Sequence, residues 1–363
     1  MKPQTTPAHH LILGISGTIL TKDEKQWLET NKPSGIILFS RNIENLEQVR
    51  ALINAICKTA TPPPTIWIDQ EGGRVQRLRA PFTNFPSPYR FAQLFREDKK
   101  AGLEMSHLGG MVCGLELASI GIGVNCAPVL DIRQKEADPV IGNRAFGTTA
   151  EEVIKLSGAW IRGIGKTGVM AVGKHFPGHG AAQVDSHKQL PTITKSREEL
   201  DNHELKPFKA LAATLPALMT AHLIAEGLDI KQPATWSSPT LKKLLRTDWG
   251  FKGLIVSDAV EMGALQGDLA DRVYNSLLGG CDLVLCCTGR LEDNHAALEG
   301  AIRGVIAMEN QELLKSRERI RTILTPYQRP AEKSLNSDEY TNAKKRLEAL
   351  AETVLDDDPT EIG

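Results

Sequence analysis

The sequence predicts an α/β chain folded as a single (β/α)8 barrel of the TIM type, with one C-terminal helix packed on its outside. Three observations carry this expectation. Eight short apolar runs recur with helix-sized segments between them: HLILGISG, SGIILFS, TIWIDQE, GVNCAPVLD, MAVGKHF, PALMTAHL, GLIVSDAV and CDLVLCCT. Each is rich in Val, Ile and Leu without strict alternation, as parallel strands covered on both faces are. Most close on polar or charged residues, which a barrel gathers on the rim where its βα loops build a site. A doubly wound open sheet would need a GxGxxG turn after its first strand, whereas the first run passes into GISGTIL, with the wrong spacing.

At 363 residues and 41% hydrophobic content the chain can bury a full core. Its 43 basic and 44 acidic residues are mixed along the sequence, and no Lys/Arg block or aromatic-basic interleaving points to nucleic acid. The apolar run from Leu11 is a weak signal-peptide candidate and too short to span a bilayer. Six cysteines, Cys57, Cys113, Cys126, Cys281, Cys286 and Cys287, show no CxxC spacing and fit buried free thiols in a reducing compartment. The expected location is the cytoplasm, with neither nucleic acid nor membrane as a partner.

The strand ends carry the chemistry. Asp69, Gln70 and Glu71 close the third run, Asp131 the fourth, Lys174 and His175 the fifth, His222 the sixth, and Ser257 with Asp258 the seventh. In IDQEGGRVQR, Arg74 and Arg77 lie just beyond a Gly-Gly turn. Asp69 is suited to accept sugar hydroxyls and Arg77 to hold an oxygen-rich ligand, although the two could equally close the loop as a salt bridge. Arg144, in IGNRAFG, is similarly poised after the fourth strand. The fifth strand runs into KHFPGHG, where Pro177, Gly178 and Gly180 forbid regular structure. With the following VDSH, this loop packs three histidines, a lysine and an aspartate into 14 positions, a density that packing does not explain.

Residues 1–326 are assigned to the barrel. Residues 327–363 are assigned to a polar linker, a helix and the acidic tail DDDPTEIG, expected to be mobile, with no second domain. In the helix, Asn336 and Glu339 fit a capping-box spacing, and Tyr340, Ala343, Leu347, Leu350 and Val354 make one apolar stripe.

A fixed carboxylate at Asp258 opposed to a proton donor is what two-step displacement at an acetal carbon requires. Histidine, with an ordinary pKa of about 6.5, is suited to the donor's part, and a neighbouring carboxylate raises that value and fixes the tautomer. The DSH spacing turns Asp185 and His187 the same way if the backbone there is extended. Duller readings exist: an aspartate at a strand end often caps a helix, and His175 or His179 could simply brace the loop. A metal centre is disfavoured, because the spacings match neither HxH nor HExxH and Lys174, Arg77 and Arg144 would crowd the ion with cations. No metal and no cofactor are expected.

These blocks resemble the family 3 glycoside hydrolases. The matching stretches are GIILFSRNI, IDQEGGRVQR, NCAPVLDI, IGNRAFG, GKHFPGHG with its trailing DSH, and FKGLIVSDAVEMGA, in the family's order from about Leu11 to Thr325. The resemblance implies a retaining β-N-acetylglucosaminidase with Asp258 as nucleophile, His187 as general acid/base and Asp185 as its partner on a mobile loop. It implies that Asp69, Arg77, Arg144, Lys174 and His175 contact a 2-acetamido sugar. It further implies a saccharide substrate, N-acetylglucosamine β-1,4-linked to 1,6-anhydro-N-acetylmuramic acid in muropeptides, handled in cytoplasmic peptidoglycan recycling by a monomer. Ala181 and Ala259 depart from the commonest pattern, which has acidic residues there, and neither is a proposed reacting group. Two other functions compete. One is phosphorolysis, since a neutral histidine does not repel phosphate. The other is a sugar-binding barrel without chemistry, which the intact Asp258, Asp185 and His187 argue against.

Overall fold

Strands whose two faces are both apolar need cover on both sides, and a closed sheet ringed by helices provides it. The computed structural model describes residues 6–354 except 136 and 332. The strands are β1 (Leu11–Gly14), β2 (Gly35–Leu38), β3 (Thr65–Ile68), β4 (Val124–Asn125), β5 (Met170–Phe176), β6 (Ala217–Thr220), β7 (Leu254–Ala259) and β8 (Leu283–Cys286). They follow one another around a closed barrel in sequence order, and β8 pairs back to β1, with Leu285 beside Ile12. Every pairing is parallel. This is the predicted (β/α)8 fold, and each of the eight apolar runs supplies one strand.

Alternation inside these runs is hidden because both sides are buried. Ile12, Ile37, Trp67, Val124, Met170, Leu254 and Leu283 fill the barrel, while Leu11, Leu13, Ile36, Leu38, Ile66, Ile68 and Ile255 meet the outer helices. Each such burial contributes about 1.5–3 kcal/mol before chain entropy is subtracted. The barrel is therefore a packed core, closed below its rim.

The helices are α1 (Lys22–Asn31), α2 (Leu46–Cys57), α3 (Pro88–Glu97), α4 (Lys99–Ser119), α5 (Ala150–Gly165), α6 (Arg197–Asn202), α7 (Leu205–Leu211), α8 (Leu269–Gly279), α9 (Leu291–Ala307), α10 (Asn310–Leu324) and α11 (Asp338–Ala351). Their starts follow capping chemistry: Thr21 with Glu24 and Ser196 with Glu199 form capping boxes, and Asn45, Thr149 and Asp268 accept from the first turns of α2, α5 and α8.

Helix α11 packs outside the barrel against α4. Tyr340, Ala343, Leu347, Leu350 and Val354 are all buried, as their spacing predicts. Its cap corrects the sequence reading: Ser337, not Asn336, accepts the N–H of Tyr340, because the helix starts one residue later than the Asn336/Glu339 spacing suggested. The tail DDDPTEIG lies outside the described residues. The six cysteines are free thiols, all buried except the half-buried Cys57. The apolar run at Leu11 is barrel strand β1, and among the described residues no helix is long and apolar enough to cross a membrane.

Candidate active site

Two strands break register where the chemistry sits. Pairing of β5 with β6 shifts between Gly173 and Phe176, and that of β7 with β8 between Val256 and Ala259. Such irregularities re-aim side chains, here Lys174 and His175 on β5 and Asp258 on β7. All eight residues singled out from sequence, Asp69, Arg77, Arg144, Lys174, His175, Asp185, His187 and Asp258, line one cavity of about 570 Å³.

One wall is an ionic network. The IDQEGGRVQR segment forms a hairpin, Gln70–Gly72 with Val75–Gln76, and Gly72 and Gly73 both hold positive φ at its turn. The hairpin brings Glu71 inward, where Arg144 donates from Nε to Oε2 at 2.8 Å and from Nη2 to Oε1 at 2.9 Å. Lys174 Nζ lies 2.6 Å from Glu71 Oε1 and 2.8 Å from Asp69 Oδ1. Arg77 Nη2 reaches Asp69 Oδ2 at 3.5 Å while its guanidinium stacks on Phe39. Burial opposes the charge on Glu71, but Arg144 and Lys174 outweigh it and hold its carboxyl well below the usual carboxylate range. Burial likewise opposes the charge on Lys174, and Asp69 and Glu71 outweigh it, keeping the ammonium protonated far above neutrality.

His175 is fixed from two sides. Its Nδ1 donates to the buried Asp131 Oδ2 at 2.6 Å, and its Nε2 faces Arg144 Nη2 at 3.3 Å. Arginine can only donate, so Nε2 is the acceptor and the proton lies on Nδ1. Asp131 also accepts the N–H of His179 through Oδ1 at 2.7 Å. Gly180 then lets the loop pass the chain: a Cβ there would lie 2.0 Å from the Ile132 carbonyl oxygen.

Asp185 and His187 are joined as expected, but by a turn and not by extended backbone. Asp185 Oδ1 accepts both the His187 N–H at 2.9 Å and the ring Nδ1–H at 2.7 Å, and the Lys188 N–H closes the turn onto the Asp185 carbonyl. Side-chain capping of a backbone turn replaces strand alternation as the reason the two meet. Burial pushes the Asp185 carboxyl up, and the His187 backbone and ring hydrogen bonds outweigh it, leaving Asp185 below its ordinary value. Held this way, the ring presents Nε2 away from Asp185.

Asp258 Oδ1 accepts the Ala259 N–H at 2.8 Å. Burial opposes its ionisation, but His175, His222, the Ala259 N–H and Lys174 together keep its carboxyl below the ordinary range, so it is an anion at neutral pH. His222, buried beside it, donates from Nε2 to the Ala259 carbonyl at 2.9 Å, and its Nδ1 meets Thr235 Oγ1 at 2.8 Å. Burial lowers the pKa of His222, which braces the strand end as a neutral ring.

Glu71, Asp131 and His222 were legible as strand ends without an assigned role, and they prove to hold the residues that were assigned one. Glu261 carried no signal beyond its closeness to Asp258. It lines the cavity, accepts the Cys287 N–H with both oxygens at 3.0 and 3.1 Å, and burial raises its pKa. Among the described residues no group of three or more His, Cys, Asp or Glu side chains is arranged to hold a metal ion.

Comparison with known proteins matches residues 13–323 to the glycosyl hydrolase family 3 N-terminal domain. A beta-hexosaminidase of Alkalilimnicola ehrlichii is 41% identical over 280 residues, covering 76% of this chain and 80% of that protein. A family 3 beta-N-acetylglucosaminidase from a Paenibacillus species superposes with a TM-score of 0.87 at 31% identity, over 97% of this chain and 69% of that one. NagZ from Neisseria gonorrhoeae, in complex with N-trifluoroacetyl-D-glucosamine, superposes with a TM-score of 0.79 at 33% identity, over 94% of this chain and 98% of that one. With the family match spanning the barrel and all its strand-end blocks, this chain belongs to glycosyl hydrolase family 3.

Proposed function

We propose that this chain is an exo-acting, retaining β-N-acetylglucosaminidase that removes terminal N-acetylglucosamine from muropeptides in the cytoplasm, as a monomer in peptidoglycan recycling. The observation that carries the reading is that Asp258, from β7, and the Asp185–His187 pair, from the loop after β5, open onto one cavity whose other wall is the Asp69–Lys174–Glu71–Arg144–His175 network. Nucleophile, proton donor and sugar-holding groups then share one space. The resemblance to β-hexosaminidases and to a NagZ bound to an N-acylated glucosamine supports the sugar.

In the first step a carboxylate oxygen of Asp258 forms a bond to the anomeric carbon as the glycosidic bond breaks. The departing oxygen takes the proton from His187 Nε2. Water then attacks the glycosyl ester, His187 Nε2 takes the water's proton, and Asp258 leaves as a carboxylate; two inversions give retention. Asp185, held ionised, fixes the ring and stabilises its cationic form. Asp69 accepts a sugar hydroxyl while Lys174, Arg77 and Arg144 donate to sugar and acetamido oxygens, and His175 packs in the same wall.

The test is a proton NMR time course on an aryl N-acetyl-β-glucosaminide, run with and without phosphate and with a chelator present. The expected result is β-N-acetylglucosamine before mutarotation in every buffer. α-Sugar released first would contradict double displacement, and a sugar phosphate in phosphate buffer would identify phosphorolysis.

A further inference from the structure

We infer that Ser186 and Gly263 are positioning residues forming a latch between the Asp185–His187 turn and the segment leaving Asp258, which fixes the proton donor against the nucleophile. This rests on the reading of His187 as general acid/base. Three consecutive residues behave differently: the His187 side chain is 62% exposed and that of Asp185 20%, while Ser186 between them is 3% exposed. A buried serine between the part-buried Asp185 and the exposed His187 is an anchor. Its Oγ is hydrogen-bonded to His179 Nε2 at 3.0 Å, and His179 is itself buried and tied to Asp131 through its backbone N–H. Burial lowers the pKa of His179, so the anchor is a neutral ring, and among the described residues its Nδ1 has no hydrogen-bond partner. Ser186 is therefore the polar contact that His179 offers the loop through its side chain.

The second half of the latch is backbone. The Gly263 N–H donates to the His187 carbonyl at 3.2 Å, and the Ala264 N–H donates to the Ser186 carbonyl at 3.1 Å. Both donors follow Asp258 on the same loop, so the chain that carries the nucleophile also grips the chain that carries the donor. The approach demands glycine at 263: a Cβ there would lie 2.7 Å from the His187 carbonyl oxygen and 3.0 Å from that of Lys188. Reacting groups misplaced by about 1 Å lose on the order of 100-fold in rate, so an exposed histidine on a turn needs such a grip.

A positioning role differs from a merely structural one in which substrates suffer. In a retaining mechanism kcat/KM reports the step that forms the covalent intermediate, and a proton donor matters there only when the leaving group is a poor one. Ser186→Ala and Gly263→Ala are each compared with His187→Ala on N,N′-diacetylchitobiose and on 2,4-dinitrophenyl N-acetyl-β-glucosaminide, whose phenolate leaves without a proton. Both latch variants should lose roughly 10-fold or more in kcat/KM on the disaccharide and less than about 3-fold on the dinitrophenyl glycoside. Equal losses on the two substrates, or none, in the latch variants beside a selective loss in His187→Ala would overturn the latch alone. A non-selective loss in His187→Ala would overturn the acid/base reading and the latch with it.

Discussion

Glu71 and Arg144 meet through two parallel hydrogen bonds in the cavity wall, Nε to Oε2 at 2.8 Å and Nη2 to Oε1 at 2.9 Å. Lys174 shares the same carboxylate at 2.6 Å and also meets Asp69 at 2.8 Å, so Glu71 is the buried acid common to two buried cations. The wall that would hold the sugar depends on a residue that reacts with nothing.

Glu71→Ala strands Arg144 in the interior and leaves Lys174 with Asp69 alone. Breaking a buried ion pair by removing one partner costs about 3–5 kcal/mol. Chemical denaturation should show a loss of that order, together with a raised KM. A variant within about 0.5 kcal/mol of wild type, the range of an ordinary surface change, would show that the network holds no buried charge.

His10 gives a pH dependence outside the site. It is fully buried, its Nδ1 donates to the Asp282 carbonyl at 2.9 Å, and among the described residues its Nε2 has no partner. Burial lowers its pKa from 6.5 to about 4. The unfolded chain therefore takes up a proton below pH 6.5 that the folded chain refuses until about pH 4. Stability from this group is complete above pH 6.5 and declines as the pH falls toward 4, by about 3 kcal/mol in all. Urea titrations should show wild type losing about 1 kcal/mol more than His10→Gln between pH 6 and pH 5. Parallel losses would remove His10 as the cause.

Tyr340 fastens α11 to the barrel side. Its hydroxyl donates to Glu116 Oε1 at 2.7 Å, and the same oxygen accepts from Thr83 N–H and Oγ1. Tyr340→Phe should cost about 1–3 kcal/mol, since a hydrogen bond to a buried acid is lost, with kcat and KM unchanged. A change in KM at unaltered stability would mean that α11 reaches the site.

The sequence made the barrel legible because eight Val/Ile/Leu runs with polar ends have few other uses, and every run became a strand. The site was legible as residue types at strand ends: all eight residues singled out face one cavity. What stayed hidden was relational. Nothing in EGGRVQR says that Glu71, next but one to Asp69, turns inward to pair with Arg144 some 70 residues on. The DSH spacing suggested extended backbone, and a turn closed by the Asp185 carboxylate achieved the same meeting. The cap of α11 was missed by one residue because Asn336 and Ser337 are both good caps, and the choice depends on where the linker docks.

Covalent trapping at Asp258 tests the mechanism most directly. A 2-acetamido-5-fluoro-glucosyl fluoride has a leaving group good enough for the first step and a fluorine that slows the second, so a glycosyl-enzyme accumulates. Mass spectrometry of a tryptic digest should find one sugar on the peptide Gly253–Arg272, and fragmentation should locate it on Asp258. Turnover without any adduct, or an adduct on Glu261 of the same peptide, would contradict nucleophilic attack by Asp258.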